Sequence, residues 1–119
     1  MAQQPNEQDM EKMVRDYQVL QEQLRVYAIQ LEQLKAQKLE LERASEEVGK
    51  SSGKVYISVG GVIVETTKDK AVVDLKDRTE LSDTRIASVT KQFGDLRSKE
   101  KQLSERITEI YKSAQGKSQ

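Results

Sequence analysis

Side chains able to catalyse near neutral pH are scarce in this chain. It has no His and no Cys, and its 20 acidic residues are balanced by 20 Lys and Arg, for a net charge of zero. Without imidazole or thiol there is no ready proton-transfer pair, no thiolate nucleophile and no usual zinc ligand set. The carboxylates are scattered among basic neighbours, and Gly60-Gly61 lacks the Lys and following helix of a phosphate-binding loop. No enzyme activity, no metal and no cofactor are expected. Arg78, Arg85, Lys99, Lys101 and Arg106 could be read as a nucleic-acid stripe, but several fall at heptad flanks, where coiled coils carry charge anyway. A neutral chain also has no overall field to recruit nucleic acid or an anionic membrane.

The chemistry that remains is apolar contact, and two groups of residues could supply it. The first is Met10, Met13, Val14 and Tyr17 near one end with Ile107, Ile110 and Tyr111 near the other. Methionine is flexible and polarizable and suits adaptable surfaces. The second is the β-branched cluster Val55, Ile57, Val59, Val62 and Val64.

Long helices are the elements that must position the first group. The chain is 34% charged and only 4% aromatic over 119 residues, which leaves too little apolar matter for a thick core and points to helices with a narrow seam. From 6 to 49 the apolar residues recur at alternating spacings of three and four. One heptad position holds Met10, Tyr17, Leu24, Leu31, Lys38 and Ser45; the other holds Met13, Leu20, Tyr27, Leu34, Leu41 and Val48. A second helix over 68–114 repeats the pattern with Val72, Thr79, Ile86, Phe93, Glu100, Ile107 and Ala114, and with Leu75, Ser82, Val89, Leu96, Leu103 and Ile110. The first helix is expected to stop near Gly49, and Thr66 with Asp69 resembles a capping box for the second. Gly94 is a poor residue inside it.

Between the helices the period changes to two. Val55–Val59 and Val62–Thr66 flank Gly60-Gly61, a pair suited to the positive φ angles of a type I′ turn, so a hairpin over 55–66 is expected. Pairing Val59 with Val62 puts Val55, Ile57, Val59, Val62, Val64 and Thr66 on one face and Tyr56, Ser58, Ile63 and Glu65 on the other. Such a ribbon is marginal alone and needs strands from other subunits.

A short hairpin between two equal seams predicts that the helices fold back on each other. With Val48 facing Val72, Met13 meets Ile107, Met10 meets Ile110, Leu24 meets Leu96, Tyr27 meets Phe93 and Lys38 meets Ser82. Leu20 against Glu100 is the poor match. Asp16 then lies near Arg106, Lys35 near Asp83 and Glu42 near Lys76, all of opposite sign. Residues 6–49 carry 10 acidic and 6 basic side chains against 9 and 11 in 68–115, so the helices also attract overall. An arm of about 60 Å would result. The expected fold is mainly α, one domain over 1–119: an antiparallel two-helix coiled coil with one β-hairpin at its root.

Residues Val55–Leu75, VYISVGGVIVETTKDKAVVDL, resemble the beta class of prefoldin subunits, with the archaeal VY…VG…IV.TTKDKAV pattern, and the VGGVIVE piece is similar to a eukaryotic beta-class subunit. A single hairpin favours beta over the longer, two-hairpin alpha class. The resemblance spans nearly the whole chain in plan, although the helices match in periodicity more than in residue identity. It implies a hetero-hexamer of two alpha and four beta subunits, with hairpins joined into an oligomeric β-barrel through Val55, Ile57, Val59, Val62 and Val64. It also implies an ATP-independent chaperone that holds unfolded proteins at the coiled-coil tips and passes them to a group II chaperonin. Carried onto this sequence, the client surface is Met10, Met13, Val14, Tyr17, Ile107, Ile110 and Tyr111. The alternative is a structural or adaptor scaffold that holds no clients. The N-terminus has no hydrophobic signal core and no apolar run is long enough to span a bilayer, so a cytoplasmic protein is the expectation.

Overall fold

The computed structural model describes residues 6–117 and contains four elements: α1 (Glu7–Lys50), β1 (Val55–Val59), β2 (Val62–Thr66) and α2 (Lys68–Lys117). The mainly helical class with a single antiparallel hairpin is the one expected from the sequence. The chain forms two compact units. A terminal unit comprises the segments up to Ile29 and from Thr90; a hairpin unit comprises Gln30–Val89.

Local chemistry fixes where each helix starts. The Asp9 amide donates to Asn6 Oδ1 at 2.8 Å and the Asn6 amide donates to Asp9 Oδ2 at 3.1 Å, a reciprocal box that satisfies two otherwise orphaned donors. At α2 the cap is Thr67, whose Oγ1 accepts from the Lys70 amide at 3.2 Å. The expected Thr66–Asp69 box is therefore displaced by one residue, because Thr66 is still paired with Val55 as the last residue of the ribbon.

α1 ends at Lys50, beside Gly49 as expected from the sequence, but Gly49 is not a left-handed cap. It stays helical, and the positive-φ residues are Gly60 and Gly61. Lys68 covers this end of the helix, its ammonium donating to the carbonyls of Gly49 at 3.0 Å and Ser51 at 3.3 Å. A cation at this end also complements the negative pole of the helix.

In the terminal unit, α1 turns Met10, Met13, Tyr17, Leu20, Leu24 and Tyr27 out of solvent, and α2 does so with Phe93, Leu96, Leu103, Ile107 and Ile110. Leu24 is the buried residue of this set. Glu100 is half-buried on the same stripe, as the heptad requires of it despite its charge. In the hairpin unit the stripes are Leu31, Leu34, Lys38, Leu41 and Val48 with Leu75, Thr79, Ser82, Ile86 and Val89. Both stripes depart from the heptad near the hairpin. Ala44 replaces Ser45, and Ala71, 2% exposed, replaces Val72, which is 46% exposed. Ala71, Leu75 and Thr79 are separated by steps of four, so the stripe there follows the 3.6-residue helical period more closely than the 3.5-residue heptad.

Opposing helices interact at specific points. Lys38 Nζ meets Asp83 Oδ1 at 2.6 Å. Asp83 thus pairs with Lys38 and not with Lys35; Lys38 is half-buried on the stripe and its long stem carries the charge to Asp83 at the rim. Asp83 raises the Lys38 pKa above the ordinary lysine range through that hydrogen bond and then through its charge. Ser82 is 6% exposed, and its buried hydroxyl has no hydrogen-bond partner in the protein.

Candidate functional site

The hairpin pairs antiparallel in the register Val55–Thr66, Tyr56–Glu65, Ile57–Val64, Ser58–Ile63 and Val59–Val62. Gly60 and Gly61 sit at φ of 55° and 83°, both in the left-handed region that a type I′ turn demands. Alternation then builds two faces. On one, Val55 is buried at 8% exposure, Ile57 is half-buried, and Val59, Val62 and Val64 are exposed. Val55 is thereby committed to its own chain, and the open part of this face is Val59, Val62 and Val64. On the other face Tyr56 is exposed and Ile63, at 74%, is the most open of the large apolar side chains.

The sheet has two strands, so both ribbon edges present unpaired backbone donors and acceptors. Exposed β-branched residues with free edges are the features that draw further strands to a sheet. Sequence reasoning assigned the Tyr56 and Ile63 face no role, although the alternation that defines it was plain.

The terminal unit gathers the second set. Met10, Met13, Tyr17, Ile107 and Ile110 are half-buried on the helix stripes, whereas Val14 is exposed and Tyr111 is 61% exposed. One turn further in, Asp16, Val19 and Leu20 of α1 and Lys99, Gln102, Leu103 and Arg106 of α2 line an open cleft of about 520 Å³. This places Asp16 on the same cleft as Arg106, and Leu20 on it with Lys99 and Leu103. Arg97 lies 6.0 Å above the Phe93 ring, at the outer limit of a cation–π contact.

Ion pairs account for the perturbed titrations. Arg25 holds the Glu22 carboxyl below its usual range by a hydrogen bond at 2.6 Å and by its charge, and Glu22 raises Arg25 in return. Both groups are exposed neighbours on α1, an arrangement that supports a helix surface. Among the described residues no group of three or more acidic side chains could hold a metal ion, and no helix is long and apolar enough to cross a membrane.

A family model described as "Prefoldin subunit" matches residues 11–117. The prefoldin subunit beta of Caldivirga maquilingensis is 34% identical over 76 residues, 62% of this chain and 63% of that protein. That of Thermococcus kodakarensis is 43% identical over 53 residues, 44% of this chain and 45% of that protein. The matched segment therefore spans less than two thirds of either relative. The crystal structure of the prefoldin beta subunit from Thermococcus strain KS-1 is similar with a TM-score of 0.79 and 30% identity, covering 92% of this chain and 96% of that one.

Proposed function

This chain belongs to the prefoldin family, and from that premise we propose that it is a beta-type chaperone subunit. Two alpha-type and four copies of this type would join through their hairpins into a β-barrel platform. The assembly holds non-native proteins without nucleotide and releases them to a group II chaperonin in the cytoplasm. The observation that carries this reading is the hairpin, an apolar ribbon with two free edges and with Val59, Val62 and Val64 exposed. A two-stranded ribbon of this kind gains most of its stability from neighbouring strands.

In this reading clients contact Met10, Met13, Val14, Tyr17, Ile107, Ile110 and Tyr111. Val14 and Tyr111 offer apolar surface at once. The half-buried members become available as terminal turns fray. Each contact is weak, and several subunits acting on one client convert weak contacts into firm holding. Burial of the client's apolar surface supplies the driving force, so no ATP is needed.

The test is reconstitution with an alpha-type prefoldin subunit, followed by sedimentation and an aggregation assay on a denatured client without nucleotide. A hexamer that suppresses aggregation at stoichiometric amounts is expected. A hexamer that gives no protection would establish the scaffold reading instead, which draws support from the half-burial of five of the seven proposed client residues.

A further inference from the structure

The hairpin has two faces, and strand pairing into a barrel leaves one of them facing outward. If Val59, Val62 and Val64 turn into such a barrel, the reverse face with Lys54, Tyr56 and Ile63 stays in water, with Ile63 74% exposed. Lys54 is held only loosely, its ammonium 4.0 Å from Glu65 on the same face. The hairpin unit also contains a second uncovered apolar feature. The displacement of the α2 stripe onto Ala71 leaves Val72 and Val73 outside it, and Val73 is 59% exposed. Asp69, Lys70, Asp74 and Asp77 surround Val73 and line with it a shallow depression of about 420 Å³. Asp74 is engaged by Arg78 at 2.9 Å. In the single chain neither feature covers the other.

We propose that the Lys54–Tyr56–Ile63 face of one copy docks on the first turns of α2 in a second copy of this chain, with Ile63 seated on Val73. The two surfaces match in chemistry. The depression carries three carboxylates and one ammonium around an apolar centre; the ribbon face carries an ammonium, a phenol and one carboxylate around an apolar apex. Lys54 is a donor for Asp77 and the Tyr56 hydroxyl a donor for Asp69, and Glu65 is an acceptor for Lys70. An exposed isoleucine and an exposed valine are each removed from water, and the charges around them fix the register of contact. Both surfaces occur on every copy, so a second copy is sufficient to complete the contact. The inference rests on the hairpin-assembly reading above and adds a second, side-on contact to it.

The chain has no cysteine, so full-length Ile63→Cys and Val73→Cys variants carry one thiol each. Mixed in equal amounts, alone and together with an alpha-type subunit, they are treated with a short bifunctional maleimide, and the products are resolved by mass. A cross-linked dimer of one variant with the other, in excess of either homodimer, is the expected result. Assembled particles without that mixed dimer would overturn the docking proposal while leaving hairpin assembly intact. Failure to assemble under either condition would overturn both. In parallel, Lys54→Asp is expected to weaken association about fivefold, the scale of a partly exposed ion pair, and Asp77→Lys to restore it in the double variant. Equal weakening by the two changes without mutual rescue would show that these charges do not meet.

Discussion

Lys38 and Ser82 are polar residues on helix stripes that are otherwise largely apolar, and each makes a different prediction. The Ser82 hydroxyl is buried without a protein partner. Ser82→Ala removes that group at almost no change in volume and installs a better helix former. It is expected to stabilise the fold by about 1 kcal/mol in a denaturation experiment. Lys38 reaches Asp83, and its pKa is raised. A cation whose folded pKa exceeds its unfolded one adds stability that is complete below the unfolded value and disappears as pH climbs through the folded value. Thermal melts should therefore lose this contribution on the alkaline side of the lysine range, and Lys38→Met should show a shallower alkaline decline. Equal slopes for the two proteins would count against the pair. Polar stripe residues of this sort tend to select a register at some cost in stability, so Lys38→Leu is expected to melt higher than the native chain.

The elements gain their limits from side chains outside the heptad positions. Asn6→Ala abolishes one half of the α1 capping box and is expected to cost about 1 kcal/mol, visible as a lower helix signal before the main transition. Gly94 lies inside α2, and a methyl group added there meets nothing within 4 Å. Gly94→Ala should then stabilise by up to about 1 kcal/mol, a rise of about 4 °C in Tm. Heptad spacing made both helices legible, and Gly60-Gly61 between β-branched runs made the hairpin legible, because those signals are local. The phase of α2 beside the hairpin was not. Val72 satisfies the heptad better than Ala71, and the choice between them depends on what packs against this turn of α2, which no short window encodes. The Lys68 contacts with Gly49 and Ser51 escaped for the same reason, since they join residues 17 and 19 positions apart.

For the whole molecule the hairpin and the terminal unit are expected to separate cleanly by mutation. Val62→Asp with Val64→Asp places two charges on the open face of the ribbon and is expected to block assembly, leaving a helical monomer by sedimentation and circular dichroism. A normal hexamer would mean that this face is not the one buried. Truncating Met10, Met13, Ile107 and Ile110 to Ala should leave assembly intact and lower aggregation suppression severalfold. Loss of assembly in that variant would remove the client role from these residues. The candidate site was legible in part. The heptad already set Val14 apart from Met10, but on the ribbon the open residues did not stand out, because Val55 looks equivalent to Val62 until burial distinguishes them.

Lys68 has a further consequence. By gripping the carbonyls of Gly49 and Ser51, it cinches shut the neck of the loop that begins after α1 and ends where α2 starts. The segment from Gly49 to Lys68 is thus a self-closing cassette whose two ends lie side by side. It should be transplantable as a unit onto another antiparallel helical hairpin, carrying its assembly behaviour to a host that otherwise has none.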